Sequence, residues 1–170
     1  CAMTHCLFVR NHAASAGGGV ALNDYGARLR YCTVISNTAG GEGSGGIAAG
    51  RGTVENCTTK HNSTTGNGGG IVAGESRIKN CLVVANTAGG SGGGIYKQDE
   101  PAVYTVENCT LALNEAGTAG GGIYILANNK PMNLLNSIVY SNRLANGTPN
   151  DIQAPVTISN WQDNIAYSCS

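Results

Sequence analysis

Charge is scarce in this chain: ten basic and ten acidic side chains make up 12% of its 170 residues and cancel to a formal net charge of zero. That balance leaves no electrostatic footprint for nucleic acid or for an anionic membrane surface. Trp and Phe are equally scarce, at one each, which argues against a thick core built from bulky side chains. No apolar run approaches the roughly 18 residues of a membrane-spanning segment. The seven cysteines include no Cys-x-x-Cys pair, which argues against the common metal and redox spacings. His5, His12 and His61 have no matched nucleophile or carboxylate, so a Ser or Cys triad has no support. The run Gly40 to Gly46 lacks the Lys-Ser/Thr ending of a phosphate loop. Asp at a nine-residue period, the mark of a calcium-binding roll, is also missing, as are regular Thr-x-Thr rows of the kind an ice-binding face would carry.

Glycine is plentiful, at 26 residues, and so is repetition. One phrase recurs from Cys6 to Asn11, Cys32 to Asn37, Cys57 to Asn62, Cys81 to Asn86, Cys109 to Asn114 and Ser137 to Asn142, at a period of 24 to 28 residues. Such a period is too long for one strand and too short for a domain, so each copy is a supersecondary unit that stacks on its neighbours. A second landmark follows each Asn: a Gly-rich turn ending in Val20, Ile47, Ile71, Ile95 or Ile123. Glycine supplies the tight corner, and the aliphatic that follows faces inward. Each coil therefore reads as three short strands, parallel to those of the next coil. The predicted fold is all-β, a right-handed parallel β-helix of about six to seven coils forming a rod roughly 30 Å long. Residues 1–153 form the array, and 154–170 are a terminal coil or the start of a following segment. The chain opens at Cys1 without Met and is expected to be a fragment. A lipidated Cys1 is opposed by the register, because Met3 already aligns with Leu29, Val54, Ile78, Val106 and Leu134.

Stacking in register turns equivalent positions into columns. Two residues before each cysteine the column reads Arg30, Glu55, Lys79, Glu107, an alternation that cross-strand ion pairing favours. The column just before the cysteines holds Asn56, Asn80, Asn108 and Asn136, while a second Asn closes each phrase; both read as corner residues that tolerate left-handed backbone and bond along the stack. These corners account for most of the Asn-x-Ser/Thr matches. Five cysteines share one column, about 4.8 Å apart with parallel Cβ vectors, which disfavours disulfides and favours a buried thiol ladder.

Functional candidates gather where the repeat is interrupted. Extra length falls at Lys97 to Tyr104 and Leu126 to Asn133, and loops on a rigid scaffold are where binding residues concentrate. Lys97, Asn128, Asn129 and Lys130 are candidate ligand contacts, and beside them Tyr96 and Tyr124 stack outward in a way that suits a sugar ring or simply stabilises the sheet. One further column holds Asp24, Arg51, Glu75 and Asp99, with Glu100 adjacent. Glu75 and Asp99 on neighbouring coils are the candidates for a calcium ion or, with Glu100, for acid and base work, unless Arg51 compensates them or the loops turn the carboxylates apart.

The Gly-Gly-Gly-Ile turns, the x-Asn-Cys-Thr strands and the closing Asn resemble the pectin-lyase-like right-handed β-helix repeat proteins, specifically bacterial surface repeats similar to those of polymorphic outer membrane proteins. The resemblance covers residues 1 to about 153. It implies a secreted or cell-surface module, glycan-binding, adhesive or a structural stalk, with a polysaccharide lyase or glycoside hydrolase domain as the alternative. A third expectation is end-to-end self-association through open strand edges.

Overall fold

A computed structural model describes residues 1–41, 43–98, 104–126 and 132–154. Every named element is a short β-strand, and every strand-to-strand pairing is parallel. The strands form four sheets of six strands each. The first sheet stacks Ala2–Thr4, Arg28–Arg30, Thr53–Glu55, Arg77–Lys79, Tyr104–Glu107 and Met132–Leu135. The second begins with Leu7–Val9 and Thr33–Ile35, the third with His12–Ala13 and Thr38–Ala39, and the fourth with Val20–Leu22 and Ile47–Ala49.

The chain is thus a parallel β-helix, as the period implies, with two corrections. A coil has four strands rather than three, because the two residues after each closing Asn form a strand of their own. The six strands of each sheet are separated by five stacking steps, so the stack makes about five turns, slightly fewer than the six to seven coils expected. At about 4.8 Å per step the stack is roughly 24 Å long.

Inside, the sheets contribute columns of buried side chains, and the fourth sheet contributes two. Leu29, Val54, Ile78, Val106 and Leu134 face Val34, Val83, Leu111 and Val139 across the axis, and Ile47, Ile71, Ile95 and Ile123 fill the fourth side. Full burial of each such aliphatic contributes about 1.5–3 kcal/mol, so a core one side chain thick suffices when every coil repeats it.

The corners turn on left-handed residues. His5, Tyr31, Asn56, Asn80, Asn108 and Asn136 have φ between 46° and 55°, and Asn is the natural occupant because it tolerates this region. The second corner corrects the sequence reading. Its left-handed residues are Arg10, Ser36, His61, Ala85, Leu113 and Ser141, one before each closing Asn. The closing Asn has another task. In each of the five steps from Asn11 to Asn142 its main-chain N–H and Nδ2 donate to Oδ1 of the Asn in the next coil at 2.9–3.0 Å. Nδ2 of that next Asn donates back to the carbonyl three residues before the first, as Asn62 does to Val34 at 3.0 Å. The ladder satisfies buried polar groups that would otherwise destabilise the interior.

The cysteines form the expected thiol ladder. Cys32, Cys57, Cys81 and Cys109 are buried and free. Each Sγ donates to the carbonyl two residues earlier at 3.1–3.2 Å, and Ser137 continues the column, its Oγ accepting from the Cys109 N–H at 3.1 Å. Burial pushes the Cys32 thiol above its ordinary value. Hydrogen bonding with Cys109 and Cys57, then burial, pushes Cys81 well up. Cys1 is exposed, and Cys169 lies outside the described residues.

Candidate functional site

On the outer face of the fourth sheet a column changes character along the stack. It runs Ala21, Ala48, Val72, Tyr96, Tyr124, Gln153. The alternation of a strand points these side chains outward while Ile71, Ile95 and Ile123 beside them point in. The small members leave a depression of about 250 Å³ lined by Ser15, Ala16, Asn23, Gly43, Ser44, Ala48, Gly50, Val72 and Gln98. Its floor is Ala48 and Val72; its two banks are the corners entering and leaving the sheet. Tyr96 and Tyr124 continue the column beyond Val72 as a half-buried stacked pair, with ring centroids 5.5 Å apart and planes inclined by 6°. The predicted tyrosine stack is therefore present, and the groove before it went unread in the sequence because alanine and serine at these positions carry no signal.

Lys97 is not on that surface. It is fully buried, the last residue of strand Ile95–Lys97, in the inward column of Leu22, Ala49, Ala73 and Ile125. Strand parity explains the correction: Lys97 lies two residues after inward Ile95 and shares its side. Its Nζ sits 4.2 Å from the centroid of the Tyr104 ring and donates to the Gln98 carbonyl at 3.4 Å. The small side chains of Ala49 and Ala73 leave room for its stem. A lysine so placed cannot contact an external ligand without the strand opening.

The acidic column also takes a different form. Glu75 lies 3.9 Å from Arg51 Nε, and the Tyr25 hydroxyl donates to its Oε2. The Arg51 guanidinium lies over the Tyr25 ring, 5.1 Å from its centroid. Three successive coils thus meet at one corner, with Tyr25 rather than its neighbour Asp24 as the first partner. Arg51 compensates Glu75, and among the described residues no group of three metal-ligating side chains occurs. Asp99, Glu100, Asn128, Asn129 and Lys130 lie outside the described residues. Three further ion pairs link neighbouring coils: Arg30–Glu55 at 3.0 Å and Lys79–Glu107 at 3.5 Å, in the alternating column, and Arg143–Glu115 at 2.9 Å. Exposed pairs of this kind contribute roughly 0.2–1 kcal/mol each. No helix of the described residues is long and apolar enough to cross a membrane.

A family model described as right-handed beta helix region matches residues 2–170. No curated protein and no solved structure matches the chain.

Proposed function

Since the chain belongs to the right-handed β-helix family, we propose that it is a non-catalytic module, secreted or displayed at a cell surface, that binds a glycan on the outer face of its fourth sheet. The observation that carries this reading is the parallel Tyr96–Tyr124 pair continuing the column that floors the groove. Flat aromatic faces suit the apolar face of a sugar ring, and Ser15, Asn23 and Gln98 on the banks offer donors and acceptors for its hydroxyls. A volume near 250 Å³ lies just under the roughly 300–1,000 Å³ of small-molecule sites, which fits one ring rather than a long buried ligand. The engagement of Glu75 by Arg51 and Tyr25 supports a positional role for that carboxylate over acid and base work.

The test is a glycan and polysaccharide screen, with and without calcium, that also follows unsaturated and reducing-end products. Binding without turnover is expected, weakened roughly tenfold or more by Tyr96→Ala or Tyr124→Ala, the usual scale for a central aromatic contact. Product formation that disappears in Glu75→Gln replaces this reading with a lyase or hydrolase. Silence across the screen leaves a structural stalk.

A further inference from the structure

The dipeptide Asn-Gly occurs twice, at Asn67–Gly68 and at Asn146–Gly147. Its glycine is left-handed at both places, with φ 74° at Gly68 and 86° at Gly147, but the surroundings differ. Asn67–Gly68 is clamped within the stack. The Gly68 N–H donates to the Ser91 carbonyl of the next coil at 3.0 Å, and the Gly68 carbonyl accepts from Gly45 N of the coil before at 3.1 Å. Asn67 Oδ1 accepts from Ser91 N at 2.7 Å. Gly68 itself is buried, and a Cβ placed on it would meet Val72 Cγ2 at 2.4 Å.

Asn146–Gly147 instead forms the tip of an exposed turn between strands Arg143–Leu144 and Ile152–Gln153, the position that Asn-Gly favours. The turn is held by its own bonds, Gly147 N to the Leu144 carbonyl and Leu144 N to the Thr148 carbonyl, both at 2.8 Å. Around Gly147 there is open space: a Cβ there would meet nothing within 4 Å. Thr148 N donates to Asn146 Oδ1 at 3.0 Å. That donor already faces the oxygen on which negative charge develops when a nucleophile adds to Asn146 Cγ. The following residue supplies the nucleophile, a main-chain nitrogen whose approach no side chain obstructs.

We infer that Asn146 is a site of spontaneous modification, cyclising with the Gly147 nitrogen to a succinimide, and that the fold protects the same dipeptide at Asn67. Hydroxide removes the Gly147 amide proton as the new N–Cγ bond forms. The Cγ–Nδ2 bond then breaks, and the departing nitrogen takes a proton from water and leaves as ammonia, restoring the hydroxide. Water opens the ring at either carbonyl, giving aspartate or isoaspartate, with no change of oxidation state. Either product adds a carboxylate to a chain whose basic and acidic side chains otherwise cancel. Isoaspartate also lengthens the main chain inside a turn closed by the Arg143–Pro149 bridge. The selectivity comes from local opening: releasing Gly147 N frays one exposed turn, whereas releasing Gly68 parts it from the coils on both sides.

The test incubates the whole native chain at mildly alkaline pH. Peptide mass spectrometry follows conversion at each Asn-Gly, and enzymatic methylation identifies isoaspartate. Asn146 should convert at least roughly tenfold faster than Asn67, faster still as pH rises, with isoaspartate among its products. In denaturant the two rates should converge, because the protection of Asn67 is lost with the coils. Comparable rates in the native chain overturn the inference, as does an Asn146 that stays intact. A disparity that persists unchanged in denaturant overturns it too, since local sequence rather than the fold would then set the rates.

Discussion

Replacing Asn86 with alanine and, separately, Asn80 with alanine removes the same side chain from two columns six residues apart in the sequence. The structure assigns very different costs. Asn86 is fully buried; its Oδ1 accepts from the Asn62 N–H and Nδ2 at 3.0 Å, and its Nδ2 donates to Asn114 Oδ1 and the Thr59 carbonyl at 3.0 Å. Truncation leaves the Asn62 N–H without that acceptor and takes a donor from Thr59 and from Asn114, all beyond the reach of bulk water. At about 1–3 kcal/mol for each buried group left short, Asn86→Ala should cost at least roughly 3 kcal/mol. Asn80 is exposed, so water replaces its bonds to Asn56 and Asn108, both 3.1 Å. What remains is the penalty of holding alanine at φ 52°, about 1 kcal/mol. Denaturant unfolding measures the difference, and exchange of the Asn62 amide reports the local effect should the coils not unfold in one step. Equal costs for the two variants, or a cost below about 1 kcal/mol for Asn86→Ala, would refute the claim that the ladder works through buried polar satisfaction.

Thr59 stands between Val34 and Val83 in the core with its Oγ1 buried and unbonded, so Thr59→Val should stabilise by about 1 kcal/mol in thermal or chemical unfolding; a loss of stability would show that the hydroxyl has a partner. A Cβ on Gly70 would meet the Gly94 carbonyl at 2.7 Å and Asn86 Nδ2 at 3.0 Å, whereas one on Gly26 meets nothing within 4 Å. Gly70→Ala should therefore lower stability by roughly 2 kcal/mol or more, while Gly26→Ala should be neutral or raise it by up to about 1 kcal/mol. Because burial raises the Cys32 thiol above its usual value of 9.0, the folded chain keeps a proton that the unfolded chain loses at that pH. The stability so contributed is complete below pH 9.0 and is lost as pH rises through the folded value; unfolding curves of the parent and Cys32→Ala should converge above that pH, and a constant separation would show the thiol titrates alike in both states.

The fold was legible because stacking converts sequence period into geometry, and the charge column illustrates it: Arg30, Glu55, Lys79 and Glu107 align in the observed register, and two of the neighbouring opposite charges, Arg30–Glu55 and Lys79–Glu107, form ion pairs. The third sheet was not legible, since a strand of two residues such as Thr38–Ala39 is too short to display a period. The second corner was hidden for a different reason. Its left-handed positions are Arg10, Ser36, His61, Ala85, Leu113 and Ser141, a column with no common chemistry, so the conspicuous Asn beside it attracted the assignment. Lys97 was misplaced because a charged residue at the start of an insertion reads as loop, although its parity with Ile95 already pointed inward.

The site resisted reading because of how this architecture uses its side chains. Every coil offers each residue a neighbour above and below, so charges find ion-pair ladders, amides find hydrogen-bond ladders and thiols find a column of their own. Residue chemistry that would mark a site on another fold is here absorbed by the stack. Information about function lies instead where a column breaks its own pattern: two tyrosines succeeding alanine and valine on the outer face, a lysine among alanines inside, and an aspartate at a glycine corner. The first break supplies the proposed binding face. Each is visible only against the repeat that precedes it, which is why the coil had to be placed before its exceptions could be interpreted.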